Sequence, residues 1–557
     1  MENQLALIIK ELYGIDVQPT ISRPEPVFGD YATNVALQLA GKLGKNPREV
    51  ADEIATALRD TAEFAEVTIA GPGFINIRLA DAPLLQQLAV MTSGEYGKSD
   101  LYKNKVVVTE YSDPNPFKVL HAGHFYTSVV GDAMSNLIES AGGSVHRVNF
   151  GGDVGLHVAK TMWAIIQSIG GENPDALANV PQAERSEWMA SHYVEGTRAY
   201  EDNEQAKEAI TILNKRVYQL FADNDHESPF AQLYWTCREW SYDYFNAFYA
   251  RIGTKFEKYY PESETAPLGL ETVLEQKENG VYQDSDGAII FVGEPYGLHT
   301  RVFVNKQGLP TYEAKDVGLS IKKWDDYQFD ESVIITGNDI TEYMKVVLKS
   351  IEQFKPELAK RTRHVTHGNV KLAGGVKMSS RKGNFLKAVD VLEIAAEENE
   401  KAQGNRDDGP VLGAIKYAFL KNRVGADVIF DPRESVALQG NSGPYLQYAH
   451  ARARSIISKS QVTSFSIDGW QLDDNERSLL VKMTEYTDVV SQATIQLLPH
   501  IICTYLYELA QTFNRFYENS RIIDDEREAL RLELTKAYTD ILKSGLTILG
   551  IQAPENM

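Results

Sequence analysis

Two histidines in the stretch HAGH are the residues whose type and spacing best suit phosphate chemistry. His121 and His124 flank Gly123, which leaves room for a ligand beside the backbone. If a helix begins here, its free N–H groups and its dipole favour an anion, and both imidazoles can donate hydrogen bonds to phosphate oxygens. A pair of partly exposed helix-cap histidines is the alternative interpretation.

A second stretch, GGVKMSSRKGN at residues 374–384, places cations among glycines and serines. Its cations are Lys377, Arg381 and Lys382, and Met378 and Ser379 directly follow the first of them. Flexible cations of this kind could close on the same phosphates and stabilise charge that develops during a reaction. Because charged loops are common, a solvated basic turn is the alternative.

The elements around HAGH predict a βαβ unit. Residues 106–108 form a buried-type strand, apolar residues then recur at helical spacing from Phe125 to Leu137, and Gly142 ends that helix before a second strand. Such a unit implies a parallel, nucleotide-binding sheet whose ligand sits where the first strand meets the helix. The two histidines lie at that junction.

Length and pattern predict a multidomain α/β protein, because 557 residues exceed what one hydrophobic core usually organises. Residues 1–85 are typical of a small α+β domain. Residues 100–400 are typical of a Rossmann-like parallel-sheet domain with a helical, aromatic-rich insertion at about 160–270. Residues 405–557 predict an all-α domain, since apolar residues recur there at helical spacing.

The formal net charge of -21 argues against a protein that coats nucleic acid by bulk charge, although it leaves room for local basic patches. Cys237 and Cys503 are far apart and have no ligand-like neighbours, so we expect two core residues, no disulfide and no metal site. The N-terminus lacks a cleavable signal, and no apolar run approaches the length of a membrane span. We therefore expect a cytoplasmic protein without a membrane segment.

Taken together, the motifs resemble those of class I aminoacyl-tRNA synthetases, in which HIGH and KMSKS correspond to HAGH and KMSSRKGN. Four stretches narrow the resemblance to the arginyl-tRNA synthetase family, over nearly the whole chain: TEYSDPNPFKVLHAGH, YEAKDVG, GNSGPYLQYAHARARS and IQAPENM. The resemblance implies ATP-dependent ligation of L-arginine to tRNA(Arg) through an arginyl-adenylate, with Mg²⁺ assisting. It also implies a tRNA-elbow-binding N-terminal domain, a catalytic central domain, an anticodon-binding C-terminal domain and a monomeric enzyme.

Residue chemistry independently favours arginine as the substrate. Glu110 ends the first strand and Asn115 follows it, which places both at the ligand-binding edge of a parallel sheet. Tyr312 and Asp316 are four residues apart, hence on one face of a helix. A guanidinium prefers planar carboxylate partners, and the resemblance assigns Glu110, Tyr312 and Asp316 to it and Asn115 to the α-amino group. A surface acid, a core tyrosine and a turn asparagine are the alternative roles.

The resemblance also distributes the catalytic roles. The ATP contacts fall on Gly123, His121, His124, Lys377, Met378 and Ser379, and a further substrate contact falls on Asn338 or Gly337. Ser380 replaces the second lysine of KMSKS, so another cation must meet the charge that develops on pyrophosphate. Lys118, three residues before His121, is the first choice, and Arg381 and Lys382 are its rivals.

A predicted helix in PYLQYAHAR suits single-stranded RNA. Tyr445, Tyr448 and Arg452 are three and four residues apart, so one face would present two stacking platforms and a cationic donor. The resemblance adds Tyr517 and Met557 around the anticodon, and Phe74 and Asn76 at the tRNA elbow. A helix-bundle aromatic core and a buried strand phenylalanine are the alternatives.

The chain departs from the family pattern at residues 152–157, which read GDVGLH without the usual tryptophan and glutamine. The run AHARARSI also replaces the A-L-R run often found in this type of anticodon domain. Two other function classes remain as alternatives. A small-molecule nucleotidyltransferase would have no use for the helical domain and the elbow module, and a non-catalytic RNA-binding paralogue would not retain the phosphate-loop and acidic residues.

Overall fold

The computed structural model describes residues 1–373, 386–462, 465–467 and 469–557. Its N-terminal part is an α+β domain built from α1 (Glu2–Tyr13), β1 (Ile21–Ser22), β2 (Tyr31–Thr33), α2 (Val35–Leu43), α3 (Pro47–Arg59), β3 (Phe64–Ala70), β4 (Phe74–Leu79) and α4 (Asp81–Met91). The strands form an antiparallel sheet in the order β1-β2-β4-β3. Helix α3 begins where Asn46 caps the backbone N–H of Arg48, and its buried face carries Val50, Ile54 and Leu58.

The central part opens with the predicted βαβ unit. Its elements are β5 (Val106–Glu110), α5 (Ala122–Ser140), β6 (Ser144–Gly151), α6 (Leu156–Ser168), α7 (Arg185–Asp202), α8 (Glu204–Ala222), α9 (Pro229–Ile252), β7 (Lys258–Pro261), α10 (Glu262–Glu278), β8 (Gln283–Ser285), β9 (Ala288–Phe291), β10 (Arg301–Val304), α11 (Tyr312–Tyr327), β11 (Glu331–Gly337), α12 (Thr341–Glu352), α13 (Pro356–Lys360), β12 (Thr362–His367) and β13 (Val370–Leu372). Five strands form a parallel sheet in the order β12-β11-β5-β6-β7. The prediction of a Rossmann-like parallel sheet is therefore confirmed.

The structure differs from the sequence-based expectation within the insertion. Residues 258–261 lie inside the predicted helical range of about 160–270, yet they form β7, the edge strand beside β6. A strand of four residues is too short for its period-two pattern to be recognised in a helical neighbourhood. The helical excursion consequently ends with α9 at Ile252. The strands at AIIF and RVFV belong to a separate antiparallel sheet of β8, β9 and β10.

The C-terminal part is mainly helical. It contains α14 (Ala388–Gln403), α15 (Asp408–Leu420), β14 (Val428–Phe430), α16 (Pro432–Ser435), α17 (Gly443–Lys459), α18 (Asp474–Thr484), α19 (Tyr486–Gln496), α20 (His500–Asn519) and α21 (Glu528–Ile548). The short strand β14 pairs in parallel with β13 of the central part. Leu479, Met483, Tyr486 and Val490 are all buried, as their helical spacing predicted, although the backbone changes from α18 to α19 among them.

The N-terminal domain is joined to the helical domain by a buried arginine. The Arg477 guanidinium donates to the carboxylates of Asp30 at 2.6 Å and Asp81 at 2.9 Å, and also to the Leu79 carbonyl. Both Cys237 and Cys503 are buried, as expected. Within the described ranges, no helix is both long enough and apolar enough to cross a bilayer.

Helix α5 lies against the central sheet at a close approach that only glycine permits. A Cβ atom on Gly131 would lie 2.2 Å from the Tyr111 ring. Tyr111 directly follows β5, and its hydroxyl donates to Asp132 of the same helix at 2.6 Å. This contact fixes the start of the loop that runs from the sheet to the N-terminus of α5.

Candidate active site

An open cavity of about 800 Å³ lies at the carboxyl ends of the parallel strands. The βαβ geometry predicts a ligand at this edge, because the strands end there and α5 begins there. Seven of the residues predicted for substrates line the cavity: Glu110, Asn115, His121, Gly123, His124, Tyr312 and Asp316. Residues that are far apart in sequence are thus brought to one site.

Asn338 is placed differently from its neighbours. It begins a short turn after β11 and is not among the residues that line the cavity, whereas Gly337 and Asp339 are. The sequence alone left Asn338 and Gly337 as alternatives. The turn at the end of β11 favours Gly337 as the residue beside a bound substrate.

His121 and His124 form a reciprocal cap at the start of α5. Nδ1 of His121 accepts the backbone N–H of His124, Nδ1 of His124 accepts that of His121, and the rings stack with centroids 3.6 Å apart. A neutral imidazole that accepts through Nδ1 carries its proton on Nε2. Burial, with the nearby Lys118 charge, lowers the pKa of His121 to about 4, and burial lowers the pKa of His124 well below its usual value. Both rings are therefore neutral Nε2–H donors at pH 7.

Two of the carboxylates at the cavity already have lysine partners. Glu110 forms a buried ion pair with Lys323 of α11, and Glu262 forms one with Lys315 at 2.5 Å. A buried carboxylate with a cationic partner is held in place and its charge is compensated.

Asp316 has a different environment from these two carboxylates. Its Oδ2 accepts a hydrogen bond from the hydroxyl of Tyr343, and it forms no ion pair within the described ranges. Burial raises the pKa of Asp316 to about 8, with the nearby Glu110 and Glu262 charges adding to the effect of burial. The cavity therefore contains a carboxyl group that has no cationic partner among the described residues and that is mostly protonated at pH 7.

The loop between β5 and α5 is held by the inserted helix α9. Ser112, Asp113 and Phe117 have left-handed backbone conformations, with φ of 75°, 49° and 66°. The Ser112 hydroxyl lies 2.7 Å from the Tyr249 hydroxyl, and the Phe117 N–H donates to Ser241 Oγ at 2.9 Å. Residues other than glycine adopt this backbone conformation only where surrounding contacts hold them there. Here Ser241 and Tyr249 of α9 supply such contacts.

The altered stretch GDVGLH forms ordered contacts beside the cavity. Asn115 Oδ1 accepts the Gly152 N–H at 2.8 Å, and the His157 Nε2 lies 2.7 Å from the Gly152 carbonyl oxygen. Asp153 is fully buried, where it accepts from Ser263 and pairs with Arg238 at 3.0 Å. The backbone N–H of Gly152 thus fixes the side-chain amide of Asn115 at the cavity.

Lys118 lies near the histidines but is not one of the residues that line the cavity. Its ammonium lies 4.4 Å from the centre of the Tyr193 ring, a cation–π contact with helix α7. Its charge also contributes to the lowered pKa values of His121 and His124. The other predicted phosphate-binding residues, Lys377, Met378, Ser379, Ser380, Arg381 and Lys382, lie outside the described residues.

Sequence reasoning missed several polar cavity residues, among them Asp113, Glu262 and Tyr343. Glu262 directly follows β7, so recognition of that strand would have predicted a side chain at the ligand-binding edge. Asp113 lies in the quoted motif between Glu110 and Asn115, and burial raises its pKa well above the usual value. Tyr343 lies in the first turn of α12 and has no local sequence signal for a functional role.

The residues predicted to contact RNA lie on two surfaces, one on the C-terminal helices and one on the N-terminal domain. On α17, Tyr448 is 41 % exposed, and the Arg452 guanidinium lies 4.3 Å from the ring centre of Tyr517. Tyr445 is partly buried and its hydroxyl accepts from Asn514 at 2.8 Å. Met557 is 51 % exposed. Tyr448 therefore does not belong to the bundle core, whereas Tyr445 packs partly within it.

The second surface is on the N-terminal domain. Phe74 is 42 % exposed at the start of β4, so it is not the buried strand residue that the alternative interpretation required. Asn76 is buried, with only 8 % of its surface exposed. It lines a small cavity of about 230 Å³ together with Phe28, Glu66 and Arg78. An exposed aromatic ring such as that of Phe74 suits contact with an unstacked base.

Three family models match the chain in succession. "Arginyl tRNA synthetase N terminal domain" matches residues 1–79, "tRNA synthetases class I (R), catalytic domain" matches residues 86–431, and "DALR anticodon binding domain" matches residues 446–557. The catalytic-domain model alone spans more than half of the chain.

Comparisons with individual proteins agree with these models. The chain is 28 % identical to the arginine–tRNA ligase of Porphyromonas gingivalis, over 100 % of this chain and 99 % of that protein. It is 29 % identical to the arginine–tRNA ligase of Phocaeicola vulgatus, over 99 % and 98 %. The arginyl-tRNA synthetase structure from Thermus thermophilus has the same fold, with a TM-score of 0.79 at 23 % identity over 100 % and 99 % of the two chains. With a catalytic-domain match of this extent, the chain belongs to the arginyl-tRNA synthetase family of class I aminoacyl-tRNA synthetases.

Proposed function

We propose that this chain joins L-arginine to tRNA(Arg) in two steps. The arginine carboxylate attacks the α-phosphate of ATP, which releases pyrophosphate and forms arginyl-adenylate; the terminal ribose of the tRNA then attacks the activated carbonyl. No protein nucleophile is needed. Catalysis by such an enzyme consists of positioning the reactants and stabilising the charge that develops on the phosphates.

One observation carries the choice of arginine. Asp316 faces the cavity without an ion-pair partner in the part of the chain that the structure describes, whereas Glu110 and Glu262 each have a lysine. A guanidinium is the cation that a planar carboxylate binds in a bidentate manner. We infer that the substrate side chain supplies the charge that Asp316 lacks.

The remaining arginine contacts follow from this placement. We infer that Tyr312 borders the guanidinium from one helical turn away, and that Glu110 contributes the oxygen that Lys323 does not bind. Asn115 is proposed to meet the α-amino group. Gly337 and Asp339, which line the cavity, rather than Asn338, which does not, are proposed to border the amino acid at the end of β11.

ATP is proposed to bind at the N-terminus of α5. The Nε2–H groups of His121 and His124 would donate to its phosphate oxygens, Gly123 would let the nucleotide approach the backbone, and the helix dipole would favour the anion. Lys118 and the loop residues Lys377, Met378, Ser379, Arg381 and Lys382 are proposed as the cations and backbone contacts that complete the site.

Mg²⁺ is proposed to arrive with ATP. The described residues contain no group of three or more His, Cys, Asp or Glu side chains placed to hold a metal ion. The phosphate oxygens would therefore be its principal ligands, and its charge would be shared with the leaving pyrophosphate.

The flanking domains are proposed to read the tRNA. Residues 1–85 would contact the elbow through Phe74 and Asn76, and residues 405–557 would contact the anticodon through α17. The contacts proposed there are Tyr445, Tyr448, Arg452, Tyr517 and Met557. A small-molecule nucleotidyltransferase would have no use for two such surfaces, and a non-catalytic RNA-binding protein would have no use for Asp316.

The proposed activity predicts selective charging. Purified protein with total tRNA and ATP is expected to attach arginine and none of the other amino acids, measured as acid-precipitable label with each amino acid in turn. As is typical of the family, arginine-dependent pyrophosphate exchange is expected only when tRNA is present. Tyrosine, lysine or any other amino acid on the tRNA would contradict the proposed function, and exchange without tRNA would contradict the second expectation alone.

Removal of a stacking platform on α17 is expected to weaken tRNA binding selectively. Tyr448→Ala should weaken tRNA binding by about 1–3 kcal/mol, the usual loss for one base-stacking aromatic ring. The loss would be seen as a higher KM for tRNA. The KM values for arginine and ATP should not change. Tyr296→Ala is the control, because Tyr296 is comparably exposed, at 44 %, in the central part of the chain. A folded Tyr448→Ala protein with an unchanged tRNA KM, or one that no longer folds, would exclude the stacking role.

A further inference from the structure

Tyr343 connects two helices across the cavity. It lies near the start of α12 and lines the cavity, and its hydroxyl donates to Oδ2 of Asp316 on α11. This is the contact that sets Asp316 apart from Glu110 and Glu262, whose carboxylates are held by lysines. A neutral donor can orient a carboxylate without neutralising its charge.

The Tyr343 ring is itself held in position. The Arg301 guanidinium lies 5.2 Å from the ring centre and is paired with Glu313 Oε1 at 3.1 Å. Arg301 also lines the cavity. The ring thus contacts a cation that already has a carboxylate partner, while its hydroxyl donates to Asp316.

We propose that Tyr343 is a positioning residue for arginine recognition: its hydroxyl holds the Asp316 carboxylate toward the cavity and leaves its negative charge for the substrate guanidinium. This inference rests on the proposed function. A lysine at the same place would hold the carboxylate equally well, but it would neutralise the charge and repel the guanidinium. A tyrosine hydroxyl provides orientation alone.

The charges around Asp316 decide how the contact affects binding at different pH values. The groups that face it or its hydrogen-bond partner are Glu110 and Lys323, Asp113, Glu262 and Lys315, Glu313 and Arg301, and Tyr343 itself. Burial and the neighbouring Glu110 and Glu262 charges raise the pKa of Asp316, while the Tyr343 hydrogen bond and Lys323 lower it.

The sign of the pH dependence follows from these contributions. Arginine binds the ionised carboxylate, and with a pKa of about 8 the group is mostly protonated at pH 7, so binding releases a proton. kcat/KM for arginine should therefore rise with pH, by about tenfold per unit below that pKa, and level off above it. Loss of the Tyr343 hydroxyl raises the pKa further, so the rise should move to higher pH.

Tyr343→Phe tests the proposal. At pH 7 its kcat/KM for arginine is expected to fall about tenfold or more, the usual effect of losing one hydrogen bond to a charged group, and to recover toward the wild-type value by about pH 9. kcat at saturating arginine and the KM for ATP should stay within about twofold of wild type. The midpoint of the pH profile does not depend on how much of the variant is folded, so a loss of stability does not obscure the result.

Tyr282→Phe is the matched control. Tyr282 is buried, and its hydroxyl bonds Ser350 Oγ at 3.1 Å on the same helix α12, away from the cavity. It should lower the melting temperature without moving the arginine pH profile. A Tyr343→Phe profile that coincides with that of wild type, or an equal loss at every pH, would overturn the positioning role. A wild-type protein that fails to charge arginine at any pH would instead overturn the proposed function.

Discussion

Asp316→Asn is expected to lower kcat/KM for arginine by roughly 10²- to 10⁴-fold, which corresponds to a loss of about 3–5 kcal/mol of transition-state stabilisation. The asparagine keeps the shape of the side chain and a partner for Tyr343, but it removes the negative charge that the protein leaves uncompensated at the cavity. A bound guanidinium would then be desolvated beside Glu110, whose charge is already shared with Lys323. Steady-state charging at varied arginine concentration measures the loss.

Asp325→Asn provides the control for this substitution. Asp325 is exposed on the same helix α11, so its replacement should leave arginine use unchanged. The Asp316→Asn enzyme should also lose the rise of kcat/KM with pH, because the group with a pKa of about 8 is no longer present. A kcat/KM for arginine within about tenfold of wild type would place Asp316 outside the arginine pocket.

Lys118→Ala is expected to slow adenylate formation by about 10²–10³-fold while the KM for ATP stays nearly normal. A cation that meets charge mainly in the transition state affects turnover more than ground-state binding. The Lys118 charge contributes to the lowered pKa of both histidines at the start of α5, and its ammonium lies over the Tyr193 ring, which restrains it near α5. Single-turnover formation of arginyl-adenylate, with tRNA present, measures the effect.

A second substitution separates compensation from general damage. Ser380→Lys restores the lysine that the family motif usually carries, so it should return part of the rate to the Lys118→Ala enzyme. Lys160→Ala is the control, because Lys160 makes a similar contact, 4.6 Å from the Tyr200 ring, outside the residues that line the cavity. An unchanged single-turnover rate in Lys118→Ala would end the compensation hypothesis and transfer the role to Arg381 and Lys382.

Features that depend on neighbouring residues were predictable from the sequence. The βαβ unit, the start of α5 at HAGH and the shared face of Tyr312 and Asp316 each depend on spacings of a few residues, and the structure has all three. The family was also recognisable, because its motifs are local strings. The short strand β7 was missed, since four residues among helices carry too little periodicity.

The sequence by itself determined the fold class, the family and the set of acids, histidines and aromatic residues available for arginine, ATP and tRNA, because helix periodicity, strand patterning and motifs are written in short stretches. Only the tertiary structure decided which of these acids acquire a cationic partner. Lys323 neutralises Glu110 from 213 positions away and Lys315 neutralises Glu262 from 53 positions away, whereas Asp316 accepts a hydrogen bond from the neutral Tyr343 hydroxyl. Such pairings depend on how the chain folds back on itself, since charges interact through distance in space and not through separation along the chain.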